Sequence, residues 1–253
     1  MNSPQPHIVV ENLTMKYGDF LIQRDLSFSI NRGDIFIVMG GSGCGKSTLL
    51  KHLVGLVAPS GGRVLYGEQS FWDLSLAERD ILLRRFGILY QKGALWTSMT
   101  LAENVAMPIR QYTNYSEPEI RDIASYKLAL VGLAGFEDYY PSEISGGMQK
   151  RAGLARAIAL DPEVLFFDEP SAGLDPMSSK LLDDLILELN RGLGATIVVV
   201  THELPSIFAI GSNSVFLDAD VKTMIATGDP KELLRTSKDP RIIRFLTRGE
   251  REA

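Results

Sequence analysis

The chain contains a single cysteine, Cys44, so no internal disulfide is available, and one thiol fits a reducing compartment. Nothing in it approaches the ~20 consecutive apolar residues of a membrane helix. The strongest apolar runs, IFIVMG, VLFF and TIVVV, are strand-sized. The opening MNSPQPHIVVENL has no basic flank ahead of an apolar segment, so no signal peptide is read there. Positive charge is not in excess: the net charge is −5 and the isoelectric point about 5.3, which weighs against nucleic acid as a partner. Internal repeats and low-complexity tracts are also missing. These absences predict a soluble chain, one that would need a partner for any role at a membrane.

With 253 residues, 45% of them hydrophobic, there is material for one large α/β domain or for a core with an inserted lobe. Residues 7–34 read as strands, with turns at Tyr17-Gly18-Asp19 and Asn31-Arg32-Gly33. DIFIVMG follows as a buried strand, then a glycine-rich loop and the helix KSTLLKHLVGL. GGRVLYGE reads as a short strand. Apolar spacing at Leu76, Ile81, Leu82 and Phe86 predicts a helix, and a strand then ends near Gln91. From about Leu101 to Leu160 the segments are helical. Strands return with VLFFDEP and, after a long helix, with ATIVVVTHE. Strand–helix alternation of this kind predicts a parallel sheet flanked by helices. The expected division is a core of residues 1–91 and 162–235, a helical lobe of 92–161, and a tail of 236–253.

Three places carry chemistry. GGSGCGKST runs from Gly40 to Thr48 and fits G-x-x-x-x-G-K-[ST], between a strand and a helix. Glycines let backbone N–H groups wrap an anion, and the helix N-terminus adds a positive dipole end. Lys46 reaches terminal phosphates and the Ser47 hydroxyl can ligate Mg2+. Cys44, inside this loop, reads as a small residue tolerated there, with thiol reagents as a route to blocking the site. VLFFDEP sets Asp168 and Glu169 at the carboxyl end of a strand, where open α/β sheets bind ligands. Asp168 can hold Mg2+ opposite Ser47, and Glu169 can polarise an attacking water. His202 ends VVVTHE in the same way: it either contacts a γ-phosphate and its water or serves the structure. His7 reads as a residue of the N-terminal tail and His52 as a residue of the helix after the loop.

In this order the motifs resemble the ATPase subunit of ATP-binding cassette (ABC) transporters along nearly the whole chain. Tyr17 matches the aromatic that stacks on adenine. Gly40, Gly41, Ser42, Gly43, Cys44, Gly45, Lys46, Ser47 and Thr48 form the Walker A loop. Gln91 matches the Q-loop glutamine, and SGGMQ, from Ser145, matches the signature motif. Asp168 and Glu169 complete Walker B, Asp175 lies in the D-loop, and His202 matches the switch histidine. The resemblance implies a P-loop NTPase (RecA-like) core with an antiparallel β subdomain and an inserted helical subdomain, binding ATP and Mg2+, the metal on Ser47, Gln91 and Asp168. It implies two copies head to tail around two ATP molecules. Each γ-phosphate would lie between Lys46 of one copy and Ser145, Gly146 and Gly147 of the other, with Glu169 and His202 promoting hydrolysis.

A finer resemblance is to the ATPases of Mla-type and MCE-associated lipid transporters. It rests on SGGMQKRAGLARAIALDPEVLFFDEPSAGLDP, ILYQKGALWTSMTLAENVAMPIR and DPRIIRFLTRG. Met148 stands where most transporter ATPases have Gln. The implied cargo is phospholipid or a related lipid. The implied partners are a multi-pass permease of the MlaE type, an MCE-domain protein and a small STAS-domain protein, with the chain peripheral at the cytoplasmic face of the inner membrane. Ala94, Leu95, Trp96 and Met99 make either a groove for a permease helix or the lobe's own core. The arginine-rich tail is either a solvated end or a contact with the second subunit or the membrane surface. Rival readings are a cassette for another cargo and a non-transport cassette ATPase.

Overall fold

The computed structural model describes residues 6–91 and 93–249. Strands β1 (Pro6–Tyr17) and β2 (Phe20–Asn31) form an antiparallel hairpin around the turn at Gly18-Asp19. Strand β3 (Ile35–Gly40) is buried at every position, as its unbroken apolar sequence requires of a central parallel strand. Helix α1 (Lys46–Leu53) follows, then β4 (Gly61–Tyr66), β5 (Gln69–Ser70) and α2 (Leu76–Leu83). Next come β6 (Phe86–Leu89), α3 (Leu101–Tyr112), α4 (Glu117–Leu130), α5 (Gly146–Ala157), β7 (Val164–Asp168) and α6 (Pro176–Leu193). The remainder is β8 (Thr196–Val200), α7 (Leu204–Ile210), β9 (Asn213–Asp218), β10 (Thr223–Thr227), α8 (Pro230–Thr236) and α9 (Pro240–Leu246).

The chain divides into two compact units, 1–79 with 196–253, and 80–195. In the first unit β2, β1, β4 and β5 are neighbours in that order in an antiparallel sheet, and β10, β9, β3 and β8 are neighbours in a second sheet. β3 runs parallel to both β8 and β9, while β10 is antiparallel to β9. In the second unit β6 and β7 pair in parallel, Leu89 opposite Phe167, and α3, α4 and α5 pack on one another. The fold is therefore α/β with an antiparallel β sheet and a helical block, as the motif order implies.

Helix starts in the second unit are written locally. Thr100 and Glu103 close a capping box on α3, and Ser116 and Glu119 close another on α4. Asp175 caps α6, accepting from the N–H groups of Met177 and Ser178 at 3.0 Å each, with Pro176 at the first helical position.

The helix expected from the spacing at Leu76, Ile81, Leu82 and Phe86 is present as α2, though the spacing does not bury it, and two other expectations need correction. Leu76 and Ile81 are 82% and 62% exposed, and Phe86 opens β6. Helix α2 is instead started by its own polar groups: Ser75 N–H and hydroxyl both donate to Glu78, at 2.8 and 2.6 Å. His7 is not a tail residue. It lies on β1, buried, with Nδ1 2.7 Å from Thr196 Oγ1. The end of the chain, through Gly249, is neither a solvated end nor a free arm. Ile242 and Leu246 of α9 are buried, and Phe245 sets its ring edge-on to Phe216 at 5.1 Å. Residues 250–253 of that segment lie outside the described residues, as does Lys92 of the loop after Gln91. Among the described residues no helix is long and apolar enough to cross a membrane.

Candidate functional site

In the first unit, β3 and β8 end side by side, Val38 opposite Val200. Their carboxyl ends bring the phosphate loop and His202 to one edge, where ligands of parallel sheets bind. Gly40 closes β3 at φ +145, and a Cβ there would sit 2.2 Å from the Leu217 carbonyl oxygen of β9. Only glycine lets the two backbones approach so closely. Gly45, at φ +94, precedes α1, and no side chain caps that helix end. A helix start behind a glycine loop is the kind of backbone that can receive an anion. Lys46 Nζ donates to the carbonyls of Gly40 and Gly41 at 3.0 Å each, which holds the ammonium over the loop. Gly41, Ser42, Gly43 and Ser47 are exposed, and Thr48 is half-buried. His202 is an exposed side chain, its Nε2 3.6 Å from Glu203 Oε1. Tyr17 ends β1, half-exposed, paired in register with the exposed Phe20.

Cys44 is the exception in the loop: it is buried. Burial pushes its thiol up, against the lowering pull of Lys46. A buried thiol held in its neutral form is a poor nucleophile, so thiol reagents have little to attack there. His52, buried on α1 with Nδ1 2.8 Å from the Thr48 carbonyl, has its pKa lowered by burial. It serves the helix and not the loop.

In the second unit the same geometry repeats. Asp168 ends β7 and Gln91 follows β6, so both leave the carboxyl ends of adjacent parallel strands. Glu169 takes φ +49, a left-handed conformation that a non-glycine residue holds only under external constraint. The constraint is Lys150. Buried on α5, its ammonium donates to the carbonyls of Glu169, Pro170 and Ala172 at 3.3, 2.6 and 2.7 Å. Burial lowers its pKa, and the nearby Glu169 carboxylate offsets part of that. Nothing near Lys150 in the chain marks this role: a lysine two residues before the run Ala152-Gly153-Leu154-Ala155 looks like a solvated side chain unless the turn it reaches is known.

Ser145 caps α5, its hydroxyl accepting from Met148 N–H at 3.3 Å. Ser145 and Gly146 are exposed. A Cβ on Gly147 would lie 3.3 Å from Ser178 Oγ, which sets this turn beside the helix that Asp175 caps. Ser178 also holds the Asp175 carboxyl below its usual range. Met148 gives its backbone N–H to the Ser145 cap, whereas the Gln149 side chain donates to the Pro141 carbonyl at 2.8 Å.

The loop after Gln91 is organised from behind. Asn104, fully buried on α3, accepts from Trp96 N–H at 2.8 Å and donates to the carbonyls of Trp96, Met99 and Thr100. Arg156 of α5 donates to the carbonyls of Ala94 and Gly93 at 2.7 and 3.0 Å. The loop presents Trp96, 57% exposed, with Ala94 also exposed and Leu95 and Met99 half-buried. It is surface and not the lobe's core.

Residues 23–172 match the family model described as ABC transporter. The chain belongs to the ABC transporter family. The family's cassettes bind ATP. Among its relatives, MlaF of Haemophilus influenzae, named as an intermembrane phospholipid transport system ATP-binding protein, is 44% identical over 243 residues, covering 96% of this chain and 90% of that one. The probable ribonucleotide transport ATP-binding protein mkl of Mycobacterium tuberculosis is 42% identical over 94% of this chain. This chain spans 66% of that protein's length. Among solved structures, the dimeric ATP-binding cassette MJ0796, in a post-hydrolysis state with ADP and Pi, superposes with a TM-score of 0.77 at 28% identity, over 88% of this chain and 98% of that one.

Proposed function

We propose that this cassette is the ATP-hydrolysing subunit of a transporter that moves phospholipid between bacterial membranes. The observation that carries the lipid assignment is the match to the phospholipid-transport relative along 96% of this chain and 90% of that protein. A second reading, transport of a nucleotide-like cargo, is favoured by the mycobacterial relative's name, though there the chain spans 66% of the protein.

The residues present fit the nucleotide and its ion. A glycine loop, uncapped helix N–H groups and Lys46 suit a polyphosphate. Among the described residues no three His, Cys, Asp or Glu side chains converge. A hydroxyl (Ser47), an amide (Gln91) and one carboxylate (Asp168) are the oxygen donors that Mg2+ takes together with phosphate oxygens. The ion would neutralise charge between the β- and γ-phosphates. Tyr17 stacks on adenine. Lys46 binds the terminal phosphates, Glu169 takes a proton from the attacking water, and His202 orients that water or the γ-phosphate. Ser145, Gly146 and Gly147 complete the site of a second copy, with Asp175 beside them, so the working unit is a dimer. The exposed Trp96 loop serves a multi-pass permease of the MlaE type. An MCE-domain protein, and a STAS-domain protein on the helical lobe, complete the assembly at the cytoplasmic face of the inner membrane.

Affinity purification of the chain from native membranes tests the cargo. Co-purification of a permease, an MCE-domain protein and bound phospholipid is the expected result. A solute-binding protein without lipid would favour the second reading.

Lys150→Met bears on the active carboxylate. It leaves the carbonyls of Glu169, Pro170 and Ala172 without their donor, at a cost of about 1–3 kcal/mol in stability. Because Lys150 acts on the Glu169 turn, kcat is expected to fall at least about tenfold with ATP affinity nearly unchanged. Single-turnover kinetics and equilibrium binding separate the two. A loss confined to affinity would show that Lys150 does not act through Glu169.

A further inference from the structure

We propose that Gln23 is a positioning residue for the phosphate loop, fixing the Cys44–Gly45 peptide so that its N–H faces the bound phosphates. The inference rests on the ATP-binding reading above. Gln23 lies on β2 and is fully buried. Its Nε2 donates to the carbonyl oxygen of Cys44 at 2.7 Å and to that of Asp218 at 2.9 Å. Both neighbours can only accept, so the amide has one orientation, with its NH2 toward them. Its Oε1 has no hydrogen-bond partner among the described residues. A buried, half-satisfied amide is a poor choice for packing alone, where an apolar side chain of similar size would serve better. What the amide supplies, and an apolar chain cannot, is the pair of donors.

Those donors act on the loop backbone. Among the described residues no peptide bond is cis. A trans peptide whose carbonyl is drawn toward Gln23 turns the following N–H, that of Gly45, the opposite way. Gly45 stands directly before Lys46 at the uncapped start of α1. Within the loop itself Cys44 N–H reaches the Gly41 carbonyl at 3.4 Å, and Lys46 Nζ bonds the carbonyls of Gly40 and Gly41 but not that of Cys44. β2 supplies the bond to the Cys44 carbonyl through Gln23, and its Ile22 lies close by, Cγ2 2.6 Å from where a Cβ on Gly45 would stand.

The second anchor of Gln23 is itself well held. Asp218 ends β9, one residue after Leu217, which pairs with Gly40. Its carboxylate accepts from the N–H groups of Asp220 and Val221 at 2.9 Å each, and Arg241 of α9 lies 3.4 Å away. Gln23 thus ties the phosphate loop to a rigid strand end. A loop already fixed in its binding shape loses less entropy when phosphate arrives.

The test is nucleotide affinity of the full-length chain, read with fluorescent methylanthraniloyl-ADP so that turnover does not intervene. Gln23→Met keeps length and apolar volume and removes both donors. It is expected to bind about tenfold more weakly than wild type, the scale of one lost hydrogen bond, with a melting temperature in the absence of nucleotide within a few degrees of wild type. Wild-type affinity in a Gln23→Met protein of normal stability overturns the proposal and leaves the ATP reading intact. Failure of the wild type itself to bind overturns both. If Gln23→Met does not fold, Gln23→Glu carries the test. A buried carboxyl facing two carbonyls stays neutral at low pH and can then donate one bond. Its affinity relative to wild type should recover between pH 9 and pH 6, and a ratio constant across that range overturns the proposal.

Discussion

Glu169→Gln is expected to lower ATP turnover by about 10²–10⁴-fold, the usual contribution of a general base, while ATP still binds. The substitution keeps the shape of the side chain and removes its ability to take a proton. The backbone geometry should survive, because Lys150 holds this turn, with its φ of +49, through three carbonyls that the substitution leaves in place. Phosphate release measured beside equilibrium ATP binding checks both halves. Turnover near wild type would remove Glu169 from the reaction and reopen the choice of base.

Lys46→Ala is expected to fail one step earlier, at binding. The ammonium already sits over the loop, bonded to the Gly40 and Gly41 carbonyls, where a phosphate oxygen would become its stronger partner. A charge-assisted contact of this kind contributes about 1.5–3 kcal/mol, so ATP affinity should fall roughly 10- to 150-fold, with turnover lost at ordinary ATP concentrations. Isothermal titration with ATP reads the first effect. Affinity equal to wild type would end the assignment of Gly40–Thr48 as the phosphate site. The two variants therefore separate: one binds without turning over, the other scarcely binds.

The parts of this account that were legible in the sequence share a property. Each is a residue whose role depends on its immediate neighbours. The glycine loop must follow a strand and open a helix, and it does so between β3 and α1. Asp168 and Glu169 follow four buried apolar residues, and that run alone announces a strand end.

What the sequence hid depends on distant partners. Lys150 reaches residues about twenty positions away, and Gln23 reaches one 195 positions away. Neither contact leaves a pattern in the chain near it. His7 looked like a tail residue because its partner, Thr196, is 189 positions on. Nothing was assigned between Glu203 and Thr236, where α7, β9, β10 and α8 are short and owe their order to pairing with β3 and with one another. The helix at Leu76 forms where its spacing placed it, but for another reason. Its apolar spacing is real, yet Leu76 and Ile81 face solvent, since its polar start holds it without burial.

The signature turn at Ser145 gives the account its most exposed claim, because Ser145 and Gly146 are placed at the surface and are assigned to ATP held by another copy. Light scattering on Glu169→Gln tests it directly, with and without ATP and Mg2+. The expected mass is that of a monomer, near 27.9 kDa, without nucleotide and twice that with ATP, returning to monomer with ADP. A mass that stays monomeric with ATP bound to saturation would contradict a nucleotide site shared between two copies.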